Sequence, residues 1–329
     1  MTPRHKSSIS QRSIKMSVDK YSYTSNTVKL LKHLDTLRLI QNKIYRPIMV
    51  HTMPTHRCQL SCVHCCFKNR KNLVMDMPPD VYVQGIEQFF RLGTKAMELT
   101  GGGEPTLYPY LADCLKHFFA MGMKIGLITN GLELQRIEEY LQKFSWIRVS
   151  LNTLDYKSDI KLPRNYKFSF CYIWNRFSNE NIKRVAKFSS RHNAICRVSP
   201  DCIQSPRMIE EELIHIKNVL SEIKSDHLFL SDFNTTTTRR NSNCYIHMIK
   251  PAFYTDGFIY PCPSAELALE KNKQIDIEAR LCHATEVLDF YTSRDFNYRL
   301  SHDCSYCKYS KQQDLLEDLI TETDFNDFA

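Results

Sequence analysis

Residues His56 to Lys68 read HRCQLSCVHCCFK, and within them Cys58, Cys62 and Cys65 are spaced Cys-x3-Cys-x2-Cys. So short a stretch can wrap three thiolates around one compact inorganic core, whereas a fully ligated 4Fe-4S cube takes four cysteines. One iron would then stay open to a substrate or cofactor, as the free position of a catalytic metal does. Two plainer readings compete. Zinc could take the thiols with His64 or Cys66 as fourth ligand, although zinc modules usually pair two Cys-x2-Cys halves. The three could also be buried thiols, a common fate of cysteine.

The apolar run PIMVHTMPT leads into the triplet, and Thr100-Gly-Gly-Gly-Glu-Pro105 follows it. Together these motifs resemble the radical S-adenosylmethionine (radical SAM) superfamily. The resemblance implies that Cys58, Cys62 and Cys65 hold a 4Fe-4S cluster whose fourth iron is chelated by the amino and carboxylate groups of SAM. It implies that Gly102, Gly103 and Glu104 present backbone to that amino group. The position before the third cysteine, usually aromatic and near adenine in the family, is His64 here, and imidazole can stack too. Cys66 fits no family role. The run Arg148-Val-Ser-Leu-Asn152 is similar to the family strand whose polar residues meet the SAM ribose and carboxylate. Ser150 and Asn152 take that role here, since alternate residues of one strand share a face. Arg197, at the end of a later strand, could clamp a carboxylate in bidentate fashion or form a surface ion pair.

Outward from this stretch, apolar strands alternate with amphipathic segments. Strands are predicted at Ile48–Met53, Ala96–Thr100, Lys124–Thr129, Ile147–Leu151, Phe168–Ile173 and Ala194–Val198. Helices are predicted near Pro79–Leu92, Tyr108–Met121, Leu132–Phe144, Glu180–Arg191 and Ile209–Ile223. The link from Asn152 to Lys167 is short and Pro-broken, so no full helix is expected there. Such alternation implies right-handed crossovers and a parallel sheet with its chemistry at the C-terminal strand ends. About six units suit the partial (β/α)6 TIM-type barrel that the resemblance implies, an α/β fold, followed by a small C-terminal domain.

That second domain is read from Cys244, Cys262, Cys304 and Cys307. A Thr255-Asp256-Gly257 turn between the first two reads as a β-hairpin. Four thiols so arranged can close a metal site completely, and in isolation a structural zinc site is the plainer reading. Behind a radical SAM domain the segment resembles the shortened SPASM type called Twitch, in which Gly-x4-Cys and a later Cys-x2-Cys hold an auxiliary 4Fe-4S cluster. Gly257 and Cys262 reproduce that spacing. The expected organisation is a basic disordered tail (1–24), an N-terminal helix (25–46) with Leu30, Leu31, Leu34 and Leu37 on its packing stripe, the barrel (47–225), a polar linker (226–243), the auxiliary domain (244–310) and an acidic tail (311–329).

Composition narrows the class further. At 43% hydrophobic and 24% charged, the 329 residues suit a globular protein, and no apolar run approaches the roughly 20 residues that span a bilayer, so no membrane partner is expected. Five Lys or Arg against Asp19 in the first 20 residues leave +4 of the net +8, so the remainder is mildly basic and nucleic-acid binding is weakly supported. Thirteen cysteines in clustered spacings, with no apolar signal segment, point to cofactor ligands in a reducing cytoplasm. The resemblance implies an oxidoreductase that uses SAM, two 4Fe-4S clusters and an external flavodoxin- or ferredoxin-type electron donor. It would generate a 5'-deoxyadenosyl radical and abstract hydrogen from a substrate, with oxidative modification of a peptide or protein as the expected outcome. The alternatives are a nucleotide, RNA or small-molecule substrate, for which Lys68, Arg70 and Lys71 beside the triplet speak, and a non-catalytic zinc-binding scaffold.

Overall fold

The computed structural model describes residues 29–67, 74–164, 166–231, 244–263, 279–293, 307 and 309–321. Seven parallel strands come first in the chain: β1 (Met49–Thr52), β2 (Ala96–Leu99), β3 (Lys124–Thr129), β4 (Trp146–Ser150), β5 (Phe168–Ile173), β6 (Cys196–Ser199) and β7 (Leu228–Leu230). Three more follow: β8 (Ala252–Phe253), β9 (Phe258–Tyr260) and β10 (Cys282–His283). Among the described residues they form one open sheet in the order β10-β9-β8-β1-β2-β3-β4-β5-β6-β7. The open order is that of a partial barrel, as expected. Two findings go beyond the sequence reading. Leu228–Leu230 is a seventh strand inside the segment read as linker, and β8 pairs in parallel with β1, so the C-terminal hairpin continues the barrel's own sheet.

Side-chain alternation sorts the strands into two faces. Val50, Met97, Leu99, Ile125, Leu127, Ile147 and Val149 are buried in one hydrophobic core with the surrounding helices. The opposite, inner face carries His51, Glu98, Arg148 and Ser150. On it Glu98 pairs with His51 (Nδ1–Oε1 3.1 Å) and with Lys250 (Nζ–Oε2 3.6 Å). Burial pushes the Glu98 carboxyl up, but Lys250, His51 and Arg148 outweigh it and hold the group well below the usual range.

The helices are α1 (Leu34–Gln41), α2 (Pro79–Leu92), α3 (Leu111–Ala120), α4 (Ser178–Arg191), α5 (Pro206–Ile223), α6 (Val287–Thr292) and α7 (Ser310–Ile320). Helix α2 falls on its predicted bounds because proline opens it and Gly93, at φ 110°, closes it in a left-handed turn. Tyr82, Gly85, Ile86, Phe89 and Leu92 make its buried stripe. The predicted helix after β3 is instead a 3₁₀ segment, Leu134–Lys143. Ile137 leaves helical geometry there (φ −130°, ψ 23°), so two short 3₁₀ stretches meet at a kink, with Leu134, Ile137, Tyr140 and Leu141 buried.

The N-terminal stripe also differs from expectation. Leu30, Leu37 and Ile40 are buried, whereas Leu31 (60% exposed) and Leu34 (52%) face outward. A 3₁₀ turn (Leu31–His33) precedes α1, and His33 between them leaves helical geometry at φ −124°, which rotates the packing face. The buried leucines meet Ile246, Met248, Ile249 and Leu316 in a second cluster that joins the chain's N-terminal helix to its C-terminal one.

Candidate functional site

The cysteine loop leaves the C-terminal end of β1 through a neck built on Asp76. Thr55 Oγ1 donates to Asp76 Oδ1 (2.6 Å), and Arg57 grips the same carboxylate through Nε (3.0 and 2.7 Å) and a terminal nitrogen (2.7 Å). The backbone N–H of Met77 donates to Pro54 O and that of His56 to Met75 O, both at 2.8 Å, so the loop's two ends are tied before the cysteines begin.

The glycine run then docks against that neck. Gly103 N donates to Thr55 O (2.8 Å) and Glu104 N to Arg57 O (2.6 Å). A Cβ at Gly103 would collide with the Arg57 carbonyl, so glycine is required there by close approach of two backbones, and one at Gly102 would meet the His56 ring. The Glu104 side chain is buried and accepts from Thr106 N (3.1 Å), Thr106 Oγ1 (2.8 Å), Thr129 Oγ1 (2.6 Å) and Asn130 N (2.6 Å). Burial nevertheless raises its pKa.

Cys58 is exposed, and Cys62 and Cys65 are half-buried, with Cys65 N donating to Cys62 O at 3.2 Å. Burial pushes the Cys62 thiol up to about 12, with Cys65, Cys58 and Asp155 adding to the shift. Burial likewise raises Cys58, with Glu104 and Cys65 contributing. The three thiols therefore lie within electrostatic reach of one another, with Cys58 near Glu104 and Asn130, which follow β2 and β3, and Cys62 near Asp155, which follows β4. Among the described residues no three His, Cys, Asp or Glu side chains converge on a point suited to a single metal ion. Three cysteines within eight residues of one loop, with the Cys58 and Cys62 thiols raised partly by their neighbours' charge, supply the thiolate ligands a polynuclear cationic core takes. The donor set thus fits an iron-sulfur cluster. His64 fits a cofactor pocket as well: burial lowers its pKa to about 4, and its buried Nδ1 has no hydrogen-bond partner in the structure.

The other expected cofactor residues divide. Ser150 ends β4 on the inner face, but Asn152 is not on the strand: Leu151–Asp155 turns into a 3₁₀ segment. Asn152 is 1% exposed and spends its amide on the protein, accepting from Ile173 N (2.7 Å) and donating to Ile173 O (2.8 Å) and Asp155 Oδ2 (3.1 Å). The strand stops at Ser150, yet Ser150 Oγ donates to Asn152 Oδ1 at 3.5 Å, so the two polar side chains still lie together. Arg197 lies on β6, and its charge acts on Lys29 of the N-terminal segment.

Of the second cysteine set, Cys244 and Cys262 pack on the cluster formed with Leu37, Ile40 and Leu316. Cys307 sits just before α7, whose Gln313 Oε1 accepts from Tyr245 N at 2.8 Å, next to Cys244. Cys304 lies outside the described residues, as do Lys68, Arg70 and Lys71.

Sequence reasoning missed Asp155, which accepts from four side chains beside the cysteine loop. Its neighbour Tyr156 accepts from Val63 N at 2.9 Å, inside the triplet. The only sequence signal was a cluster of Asn, Asp and Tyr after β4 and β5.

Comparison with known proteins agrees with this geometry. Residues 52–188 match the model of the Radical SAM superfamily. An S-adenosylmethionine-dependent nucleotide dehydratase from Thermoplasmatales archaeon (strain ISO4-H5) is 28% identical over 143 residues, 41% of this chain and 46% of that protein. A "Probable GTP 3',8-cyclase" from Pyrococcus abyssi is 30% identical over 105 residues, 31% of this chain and 34% of that protein. The chain thus spans less than half the length of either relative. In fold it resembles Streptococcus suis SuiB bound to precursor peptide SuiA, with a TM-score of 0.56, 16% identity, and coverage of 91% of this chain and 83% of that one. The cysteine spacing and the docked glycine run meet after β1 and β2, inside the stretch 52–188 that matches the Radical SAM superfamily.

Proposed function

We propose that this protein is a radical SAM enzyme that oxidatively modifies a peptide or protein. The observation that carries the reading is the convergence of Cys58, Cys62 and Cys65 with the docked glycine run at the C-terminal end of the parallel strands. When bound, a 4Fe-4S cluster on these cysteines, with SAM at its open iron, supplies a 5'-deoxyadenosyl radical able to take hydrogen from an unactivated carbon.

The chain's own groups bind, orient and exclude water. Asp76 fixes the loop neck; Glu104 ties the ends of β2 and β3; the His64 ring borders the triplet with an unengaged nitrogen. Cys244, Cys262, Cys304 and Cys307 would hold the second cluster, suited to accepting the electron that an oxidation releases. A flavodoxin- or ferredoxin-type donor would supply the first electron.

Peptide is favoured because the likeness to the peptide-bound SuiB structure runs over 91% of this chain. A nucleotide substrate is the second reading, and what favours it is the printed activity of the two sequence relatives, whose matches stop at 41% and 31% of this chain.

The test is anaerobic reconstitution with iron and sulfide, then SAM and dithionite. Wild type is expected to bind about eight irons and release 5'-deoxyadenosine. A Cys58→Ala/Cys62→Ala/Cys65→Ala variant is expected to retain only the second cluster's iron and to release none. Zinc without sulfide in the wild type, or cleavage persisting in the variant, overturns the reading.

A further inference from the structure

The 3₁₀ turn after β4 is fastened far more heavily than a connection of its length requires. Asp155 Oδ1 accepts from Tyr172 Oη (2.8 Å) and Asn181 Nδ2 (2.9 Å), and Oδ2 from Asn152 Nδ2 (3.1 Å) and Asn175 Nδ2 (3.0 Å). These donors cannot be turned round. Asn152 is oriented by both backbone groups of Ile173, and Asn175 by Phe177 N (2.9 Å) and Ile173 O (2.9 Å). Tyr172 Oη accepts from Ser178 Oγ (3.3 Å), which in turn accepts from Asn175 N (2.8 Å), so its own proton points at Asp155. Both carboxyl oxygens thus face donors only.

The turn itself is locked from outside. Arg184 of α4 donates to the carbonyls of Leu154 (2.8 Å), Lys157 (2.7 Å) and Ser158. Tyr156 then accepts Val63 N at 2.9 Å, between Cys62 and His64, so the anion and the cysteine loop are fixed to one another. The Asp155 charge reaches both Cys62 and His64.

We propose that Asp155 is a positioning residue that sets a fixed negative charge against the Cys62 side of the cysteine loop and thereby lowers the reduction potential of the cluster held there. The inference rests on the cluster reading above. Adding an electron to a centre beside a fixed anion is opposed by Coulomb repulsion, and cluster potentials follow net charge and nearby hydrogen bonds. A lower potential strengthens the electron's drive toward a sulfonium and makes loading from the external donor harder.

The test uses the full chain, reconstituted anaerobically and titrated with dithionite and mediators under EPR. The relevant signal is the one missing from the triple cysteine variant. Asp155→Asn is expected to move its midpoint upward by about tenfold in the reduction equilibrium, about 59 mV for one electron. Tyr172→Phe removes a donor yet keeps the charge, and its midpoint is expected to fall. An unchanged midpoint in Asp155→Asn overturns the proposal. Should that variant fail to take up iron, Tyr172→Phe decides, and a midpoint that rises or stays overturns it. A purely structural role would alter melting temperature in both variants and leave both midpoints in place. Wild type that binds no iron refutes the cluster reading instead, a separate outcome.

Discussion

The Glu104 carboxylate accepts the backbone N–H of Asn130 at 2.6 Å, joining the loop after β2 to the end of β3 directly beneath the cysteines. Its other oxygen accepts three donors, from Thr106 and Thr129. In Glu104→Gln one amide N–H₂ must face a donor whichever way it turns. The expected cost is about 1–3 kcal/mol, read as a lower urea midpoint together with reduced iron uptake. Wild-type stability in Glu104→Gln would show that the bracket contributes nothing.

The two glycines that touch the loop neck should differ in tolerance. At Gly103 the obstacle is backbone, at Arg57, whereas at Gly102 it is the His56 ring. A ring can swing aside and a carbonyl in a clamped neck cannot. Gly103→Ala is expected to lose iron uptake and several degrees of melting temperature, and Gly102→Ala markedly less. The reverse order would contradict the docking.

Tyr156→Phe removes the acceptor of Val63 N while leaving the ring. The loss of about 1 kcal/mol should appear as several-fold faster hydrogen exchange at Val63, with distant strand amides unaffected. Exchange at the wild-type rate would mean the bond is not formed in solution.

Acid should weaken the fold through its buried histidines. Burial lowers His247 to about 3 and His64 to about 4. The unfolded chain takes up those protons near pH 6.5 and the folded chain does not. Stability is therefore unaffected by these groups above 6.5 and falls below it, by up to about 1.4 kcal/mol per pH unit for each. For His247 the window closes near pH 3. Urea unfolding of His247→Phe at pH 7, 6 and 5 should show a shallower decline than wild type; parallel declines would exclude the assignment.

How much was legible in the chain depended on the range of the signal. Pro79 and Gly93 marked both ends of α2 locally, and its buried side chains stood at helical spacing, so the bounds were recovered. The cysteine triplet and glycine run were readable because each is a contiguous motif. Asp76 was not, since it acts on Thr55 and Arg57 from across the loop. Asp155 was passed over because its segment has no periodicity, and its importance comes from Tyr172, Asn175 and Asn181 further along. Leu31 and Leu34 misled because a turn of different pitch precedes α1. The length of β8, two residues, left too little pattern to announce its partner strand.

That partner strand sets a schedule for synthesis. Met49, His51 and Met53 donate to the carbonyls of Ile249, Pro251 and Phe253, so one flank of β1 is satisfied by residues made about 200 positions later. A loop that long is slow to close, and segments emerge from the ribosome at about 5–20 residues per second. For ten seconds or more the nascent chain carries its cysteine loop on an edge strand open to pairing with other chains. Insertion of metal before release would therefore meet an unfinished wall, and the last quarter of the polypeptide acts as the seal on a vessel whose mouth is already shaped.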